Sequence, residues 1–412
     1  MSTRRDFLKA ALGSSAVVAL GAAAPRFLVE AAARESNAQG ETVLVVVQLS
    51  GGNDGINTVV PYGDDVYYRN RFTLALEKDK LHKLDDYHGL HPSLGGFAKL
   101  VDERRLAIVQ GVGYANPNRS HFESMDIWHT ARREPQGRSV GWLGRYLDAA
   151  AKARDASAPA SDLSALHLGG GQYPLALAAL DVVAPSIRSV DQFKLQDGGD
   201  RRLREAIEKL SATARPGDDD LLSFVQSSTA AALASSRRLQ DALGKYSPAA
   251  KYPGTKLAQS LSTVAQLIDA GMATRIYYVS LDGFDTHSEQ KDAHASLLAE
   301  LGDAVKAFVD DLAGHHHADR VLVMSFSEFG RRVRENASRG TDHGAAAPMF
   351  LAGGKVKPGL VGKHPSMTDL DDGDLKHHTD FRQVYAAVLK NWLGWSPAEI
   401  LGGEYAPADV LA

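Results

Sequence analysis

Cysteine is absent from all 412 residues. That absence excludes disulfides, thiolate metal sites, thiol nucleophiles and iron–sulfur clusters. Stability must then come from the core or from a bound metal. The chain also lacks an excess of either charge: 46 basic residues face 50 acidic ones, for a formal net charge of −4. Nothing here resembles the basic footprint of a nucleic-acid binder, and no nucleic-acid partner is expected. A long apolar run is missing too. The weakly apolar stretch from Ala10 to Ala24 falls short of the roughly 20 residues a bilayer-spanning helix needs. No stable membrane span is expected in the mature protein. What remains is an ordinary globular composition, 44% hydrophobic and 23% charged, in a chain long enough to bury a large core.

The first forty residues differ from the rest. "STRRDFLKAALGSSAVVALGAAAPRFL" pairs Arg4 and Arg5 ahead of Phe7 and Leu8, then runs through alanine and glycine. Small-residue cleavage sites follow at Ala22–Ala24 and Ala31–Ala33. The pattern predicts a twin-arginine export signal over residues 1–33, a processing segment outside the fold. Its partner would be the twin-arginine export machinery, and its destination the periplasm or the exterior.

Residues 40–412 read as a single α/β domain. "VLVVVQL" is continuously apolar and β-branched, as expected of a strand buried on both faces of a parallel sheet. Further strands are expected at "RLAIVQGVG", "LSALHLGG", "LDVVAPSI", "RIYYVSL", "RVLVMSF" and "PMFLAGG", with helices between them. A mostly polar, helical excursion is expected at about 189–253. The alternation argues for a mainly parallel central sheet with helices on both faces. Ligands of such sheets sit beyond the carboxyl ends of the strands, and the polar constellations fall there.

Asp54, in "SGGNDGIN", stands in a glycine-rich turn and could hold a cation or close an Asx turn. Asp285 and His287, in "DGFDTH", offer a hard oxygen and a borderline nitrogen, a mix suited to Zn or Mn; Asp282 is a third carboxylate nearby. Glu328, at the end of an apolar strand, needs a partner: Arg331 or Arg332, or a metal. Asp342 and His343 lie between Gly340 and Gly344, just before a strand. Ser120, in "NPNRSHF", sits at a helix start, with Glu123 placed to complete a capping box. It could be a simple N-cap, or a nucleophile beside the positive end of a helix. Asn118, Arg119 and His121 could hold an anionic group. His315–His317 reads as a solvated loop at the far end of the sheet, and His364, His377 and His378 are weaker candidates.

Together, "VVVQLSGGNDGINTVVPY", "NPNRSHFESMDIW", "GFDTHSEQ", "SEFGRRVRENASRGTDHGAAAPMFLAGG" and "HTDFRQVYAAVLKNWLG" resemble the exported bacterial DUF1501 family, over nearly the whole mature chain. That family is generally placed in the alkaline phosphatase-like superfamily, beside sulfatases. The resemblance implies a two-metal plan. Asp54 resembles the first metal-binding Asp, and Ser120 the nucleophile. Asp285 and His287 resemble the pair that holds the other metal, and His343 the late histidine. Glu328 stands where the superfamily has an Asp-His pair, a place Asp342-His343 could itself fill. One or two divalent ions (Zn, Mn, Mg or Ca) are implied, with a small anionic or ester substrate. Without cysteine, the usual formylglycine precursor of sulfatases is missing, which favours phosphate over sulfate esters. The activity implied is a metal-dependent ester hydrolase. The alternative is an exported binding or assembly protein that keeps the fold without catalysis.

Overall fold

The computed structural model describes residues 41–153, 165–187 and 244–412. The expected export signal and residues 189–243 of the expected helical excursion lie outside them.

Among the described residues the central sheet has nine strands, numbered here in chain order: β1 Val43–Ser50, β2 Leu106–Gly113, β3 Ala165–Leu168, β4 Ser186–Ile187, β5 Ile276–Asp282, β6 Val321–Ser327, β7 Ala347–Gly353, β8 Gly359–Val361 and β9 Thr379–Asp380. The spatial order is β8-β2-β7-β6-β1-β5-β3-β4, with β9 also pairing β2. All pairings are parallel except those of β7, which runs antiparallel to both β2 and β6. The stretch "LDVVAPSI" forms a strand only at its last two residues. Two of its members, Leu180 and Val183, are exposed, so it lacks the two-sided burial that an apolar run suggests.

β1 shows why the sheet is sandwiched. Val43, Val45, Val47 and Leu49 face one core, with α1 (Gly95–Asp102), α4 (Lys256–Asp269) and α5 (Gln290–Gly314). Leu44 and Val46 face the other, with α2 (His121–Thr130), α3 (Trp142–Lys152) and α6 (Phe381–Ala387). Alternate residues of a strand point to opposite faces, so an unbroken apolar run serves both layers. Full burial of each large aliphatic side chain stabilises by about 1.5–3 kcal/mol.

α5 carries its apolar stripe through Leu298, Leu301, Val305, Phe308 and Leu312. The same stripe begins with two polar residues, Gln290 and His294, that are equally buried. They reach the loop after β1: Gln290 Nε2 donates to Asp54 Oδ2 at 2.5 Å, and His294 Nε2 lies 2.9 Å from Asn53 Oδ1. The first turn of α5 is thus tied to a loop at the carboxyl edge of the sheet.

That edge is where the chain gathers its polar groups. Because β7 is antiparallel, its beginning lies beside the end of β6, so the segment before it joins the same edge. An isolated bridge between Arg331 and His343 closes the intervening loop.

Candidate metal centre

Backbone comes first. Gly51 follows β1 with a φ of +118°, and a Cβ there would stand 2.3 Å from the Asp285 backbone nitrogen. Only glycine lets the two loops approach so closely. Phe284 N donates to Ser50 O at 3.0 Å and fixes the contact. On the other side, a Cβ at Gly340 would meet the His287 carbonyl carbon at 2.3 Å. These two glycines press the loops after β1 and β6 against the Asp285–His287 segment.

Asp285, His287, His343 and His121 converge there. His287 Nε2 lies 2.9 Å from His343 Nε2 and 3.0 Å from Asp285 Oδ1. His343 Nε2 is 3.2 Å from the same oxygen, and His121 Nε2 is 3.4 Å from Asp285 Oδ2. One ligand atom each from His121, Asp285 and His343 lies within 4.8 Å of the other two. A tetrahedral ion with bonds of about 2.0–2.1 Å holds its ligand atoms roughly 3.3 Å apart. The measured separations cluster around that value.

The tautomers support the same geometry. His121 Nδ1 is 2.9 Å from Glu328 Oε1 and donates to that carboxylate. His343 Nδ1 is 2.8 Å from the Arg119 carbonyl oxygen, which can only accept. When neutral, each ring therefore turns an Nε2 lone pair toward Asp285. His121 Nε2 is buried and has no hydrogen-bond partner among the described residues. An orphaned nitrogen aimed at a carboxylate, with a second imidazole beside it, fits a cation. A carboxylate holding the far nitrogen of a histidine is the usual outer support of a metal ligand.

Charge follows position. Burial pushes the Asp285 carboxyl up, but the hydrogen bond from Arg331 and the Arg331 charge outweigh it and hold it at about 2. The Glu328 hydrogen bond raises His121 above the usual histidine value, against its partial burial. Burial lowers His343, with the bond to the Arg119 carbonyl opposing.

Arg331 is the hub beneath this cluster. Sequence reasoning offered it as a partner for Glu328; the structure gives it to Asp285 instead. Its fully buried guanidinium donates to Asp285 Oδ1 at 2.8 Å, to Phe284 O at 3.0 Å and to Thr341 O at 2.8 Å. It also donates to the carbonyls of Gly51 and, at 2.7 Å, Gly52. Glu328 finds other partners: Gly51 N at 2.9 Å, the Ser327 hydroxyl at 3.0 Å and His121. Asp342 stands at the rim, 3.5 Å from His287 Nδ1 and hydrogen-bonded by Asn336 at 3.1 Å.

Asp54 departs from the ligand set expected of it. It is fully buried, and Arg71 grips both its oxygens, at 2.5 and 2.9 Å. Gln290 takes a further position on Oδ2. Burial raises the Asp54 carboxyl, yet the Arg71 charge and hydrogen bond win and its value is lowered. Arg119 departs as well: its guanidinium bonds Asp374 at 2.8 Å and Asp372 at 3.0 Å, so only its carbonyl serves the cluster. Asn118 Oδ1 accepts from Ser120 N at 2.8 Å. The expected capping box is not formed. Ser120 is the N-cap of α2 but makes no side-chain cap bond, and Glu123 pairs with Arg138 at 2.5 Å. His121, expected to bind substrate, stands instead in the cluster with Asp285 and His343 that could hold an ion. Its signal in the sequence was only its place beside Ser120.

A cleft of about 1070 Å³ opens beside the cluster; Ser50, His121, Phe122, Asp282, Asp285 and Glu328 are among its walls. Phe122, next to His121, is 83% exposed. His315 and His317 lie before the start of β6, at the opposite edge, against Asp269. Among the described residues, no helix is long and apolar enough to cross a membrane.

No curated protein matches the chain. Among solved structures, the C-terminal periplasmic domain of EcEptC from Escherichia coli, in complex with Zn, matches at a TM-score of 0.36 and 8% identity. The match covers 77% of this chain and 75% of that one. The lipoteichoic acid synthase LtaP from Listeria monocytogenes matches at 0.33 and 8%, over 84% and 76%. Ps i-CgsB in complex with k-i-k-neocarrahexaose matches at 0.35 and 12%, over 88% and 73%. These likenesses are too slight to carry an argument about chemistry. The sequence match is of another order: the model described as "Protein of unknown function (DUF1501)" spans residues 41–392, and the chain belongs to that family.

Proposed function

We propose that this protein is an exported, metal-dependent hydrolase of phosphate esters, with sulfate esters second, built on an alkaline phosphatase-like plan. One observation carries the reading. Two histidine lone pairs with fixed tautomers, on His121 and His343, converge with the Asp285 carboxylate at the edge of a large cleft. His121, Asp285 and His343 would hold a divalent cation, with His287 completing the set. Such an ion supplies Lewis acidity, polarising an ester oxygen and favouring a deprotonated hydroxyl at neutral pH.

The chain's own residues supply the rest. Ser120 is exposed at the N-terminus of the ten-residue α2, and no cap bond occupies its hydroxyl. It is the nucleophile of this reading, placed where helix N–H groups favour an incoming anion. Glu328 and the Arg119 carbonyl orient the two histidines, and Arg331 orients Asp285. The cleft leaves room for a bulky leaving group.

The test uses mature protein loaded in turn with Zn²⁺, Mn²⁺ and Mg²⁺, and a panel of phosphate and sulfate esters. Turnover that Ser120→Ala abolishes is the expected result. A loaded wild-type protein that cleaves nothing on the panel would sink the hydrolase reading. That outcome would favour an exported binding or assembly protein that retains the fold. The engagement of Arg119 with Asp372 and Asp374 is the observation on that side, since it occupies a guanidinium expected to hold an anion. Export by the twin-arginine route is part of the proposal. Residues 1–33 fused to a reporter should direct it out of the cytoplasm, and Arg4→Lys with Arg5→Lys should retain it.

A further inference from the structure

The resemblance implies two cations, one of them beside Asp54 and Glu328. The structure disagrees with that plan, and we infer that the centre takes one divalent ion, with buried arginines standing where a second would be. This rests on reading His121, Asp285 and His343 as metal ligands.

Asp54 has no oxygen free for a cation. Arg71 makes a two-pronged pair with it, and both side chains are wholly inaccessible. Arg71 is itself held by the carbonyls of Val333 at 2.8 Å and Arg332 at 3.0 Å. Gln290 donates to Asp54 Oδ2 and in turn accepts from the Thr341 hydroxyl at 2.6 Å. A cation at Asp54 would have to displace a guanidinium that has nowhere else to go. A buried charge left unpaired in this way is strongly destabilising.

Glu328 is similarly committed. Oε1 accepts from Gly51 N and His121, and Oε2 shares the single Ser327 hydroxyl proton, at 3.0 Å, with the Leu49 carbonyl oxygen at 2.7 Å. Ligation through Oε1 would release His121, which the other ion needs in its present orientation. Arg331 completes the case. Its guanidinium lies directly under Asp285, gathering four backbone carbonyls. Positive charge is already fixed on both sides of the loop after β1. Glu328 is therefore a positioning residue, acting through His121, and Asp54 belongs to the scaffold.

The experiment reads metal content and metal position, not activity. Mature protein is equilibrated with Zn²⁺, freed of excess, and analysed by mass spectrometry and by diffraction at the zinc edge. The expected result is one equivalent per chain and one anomalous peak bounded by His121, Asp285 and His343. His343→Ala should bring the content below a tenth of an equivalent. Asp54→Asn combined with Arg71→Met removes both buried charges, so that neither is left unpaired, and should keep the full equivalent. A second peak at the Asp54 or Glu328 carboxylate would overturn the inference while leaving the metal reading intact. So would loss of the wild-type zinc in the double variant, provided that variant keeps the wild-type circular dichroism spectrum. No bound zinc in the wild-type protein would overturn the metal reading itself.

Discussion

Two aspartates leave neighbouring strands at the same edge of the sheet, and each meets a buried arginine. Asp54, after β1, is sealed: Arg71 takes both oxygens and nothing of the pair touches solvent. Asp285, after β5, is met by Arg331 on one oxygen only, and its side chain stays 47% exposed. The first pair is a closed electrostatic unit. In the second, the arginine fixes the carboxylate from below and leaves the upper side to three imidazoles. The same pair of residue types builds scaffold in one place and a potential ligand in the other. What separates them is how many carboxylate edges the guanidinium covers.

The largest effect should come from breaking the sealed pair. Arg71→Met leaves Asp54 buried and unpaired, and should cost about 3–5 kcal/mol in urea unfolding. Asp285→Asn takes the carboxylate from buried Arg331 but leaves it an amide oxygen and four backbone carbonyls. It should cost less, about 1–3 kcal/mol of metal-free unfolding free energy, while removing Zn²⁺ binding. If both variants destabilise alike, the distinction between the pairs is lost.

Acid should sharpen the comparison next. His294 lies against the sealed loop, and burial, only partly opposed by Asp54, holds it down to about 4. Its folded value lies below its unfolded value, near 6.5. Its contribution is therefore complete above about pH 6.5 and lost as pH falls toward 4. The loss should be on the order of a few kcal/mol across that window. His294→Gln should flatten the stability profile there by that amount, measured by denaturant melts across the range.

On the open side, Glu328→Gln should weaken Zn²⁺ binding about 10–100-fold in a chelator competition, because it loosens the hold on His121 without removing a ligand. The smallest effect is expected at Ser120. An N-cap that makes its side-chain bond is worth about 1 kcal/mol, but Ser120 makes none, so Ser120→Ala should shift the unfolding free energy by only a few tenths. A larger shift would mean that its hydroxyl is structural after all.

Much of the scaffold was legible because its signals are local. The runs at Val43–Leu49, Arg275–Leu281 and Arg320–Phe326 announce buried strands by composition, and "DAHASLLAELGDAVKAFVDDL" reads as a helix, two residues short of α5 at each end. The edge that collects the polar residues followed from strand direction. Neighbourhood across the chain was not legible. Nothing in "YRNRF" marks Arg71 as the partner of Asp54, because the pairing depends on where the loop after β1 folds back. Gln290 and His294 fall on the apolar stripe of α5, yet their purpose appears only once the Asn53–Asp54 loop is seen above them. His121 was visible as a residue beside Ser120; its role depends on Glu328, 207 positions later. Pattern reading finds which side chains share a face of one element, while a site is assembled from the ends of several.

The antiparallel course of β7 has one more consequence. It brings His343 back against Arg119, 224 positions earlier in the chain, so the last imidazole arrives only when most of the protein has been made. Contacts of such separation form late, after long loops have closed. The centre therefore cannot be completed before residue 343 has been made and brought back to Arg119. Zinc capture would be a report that these distant segments have met.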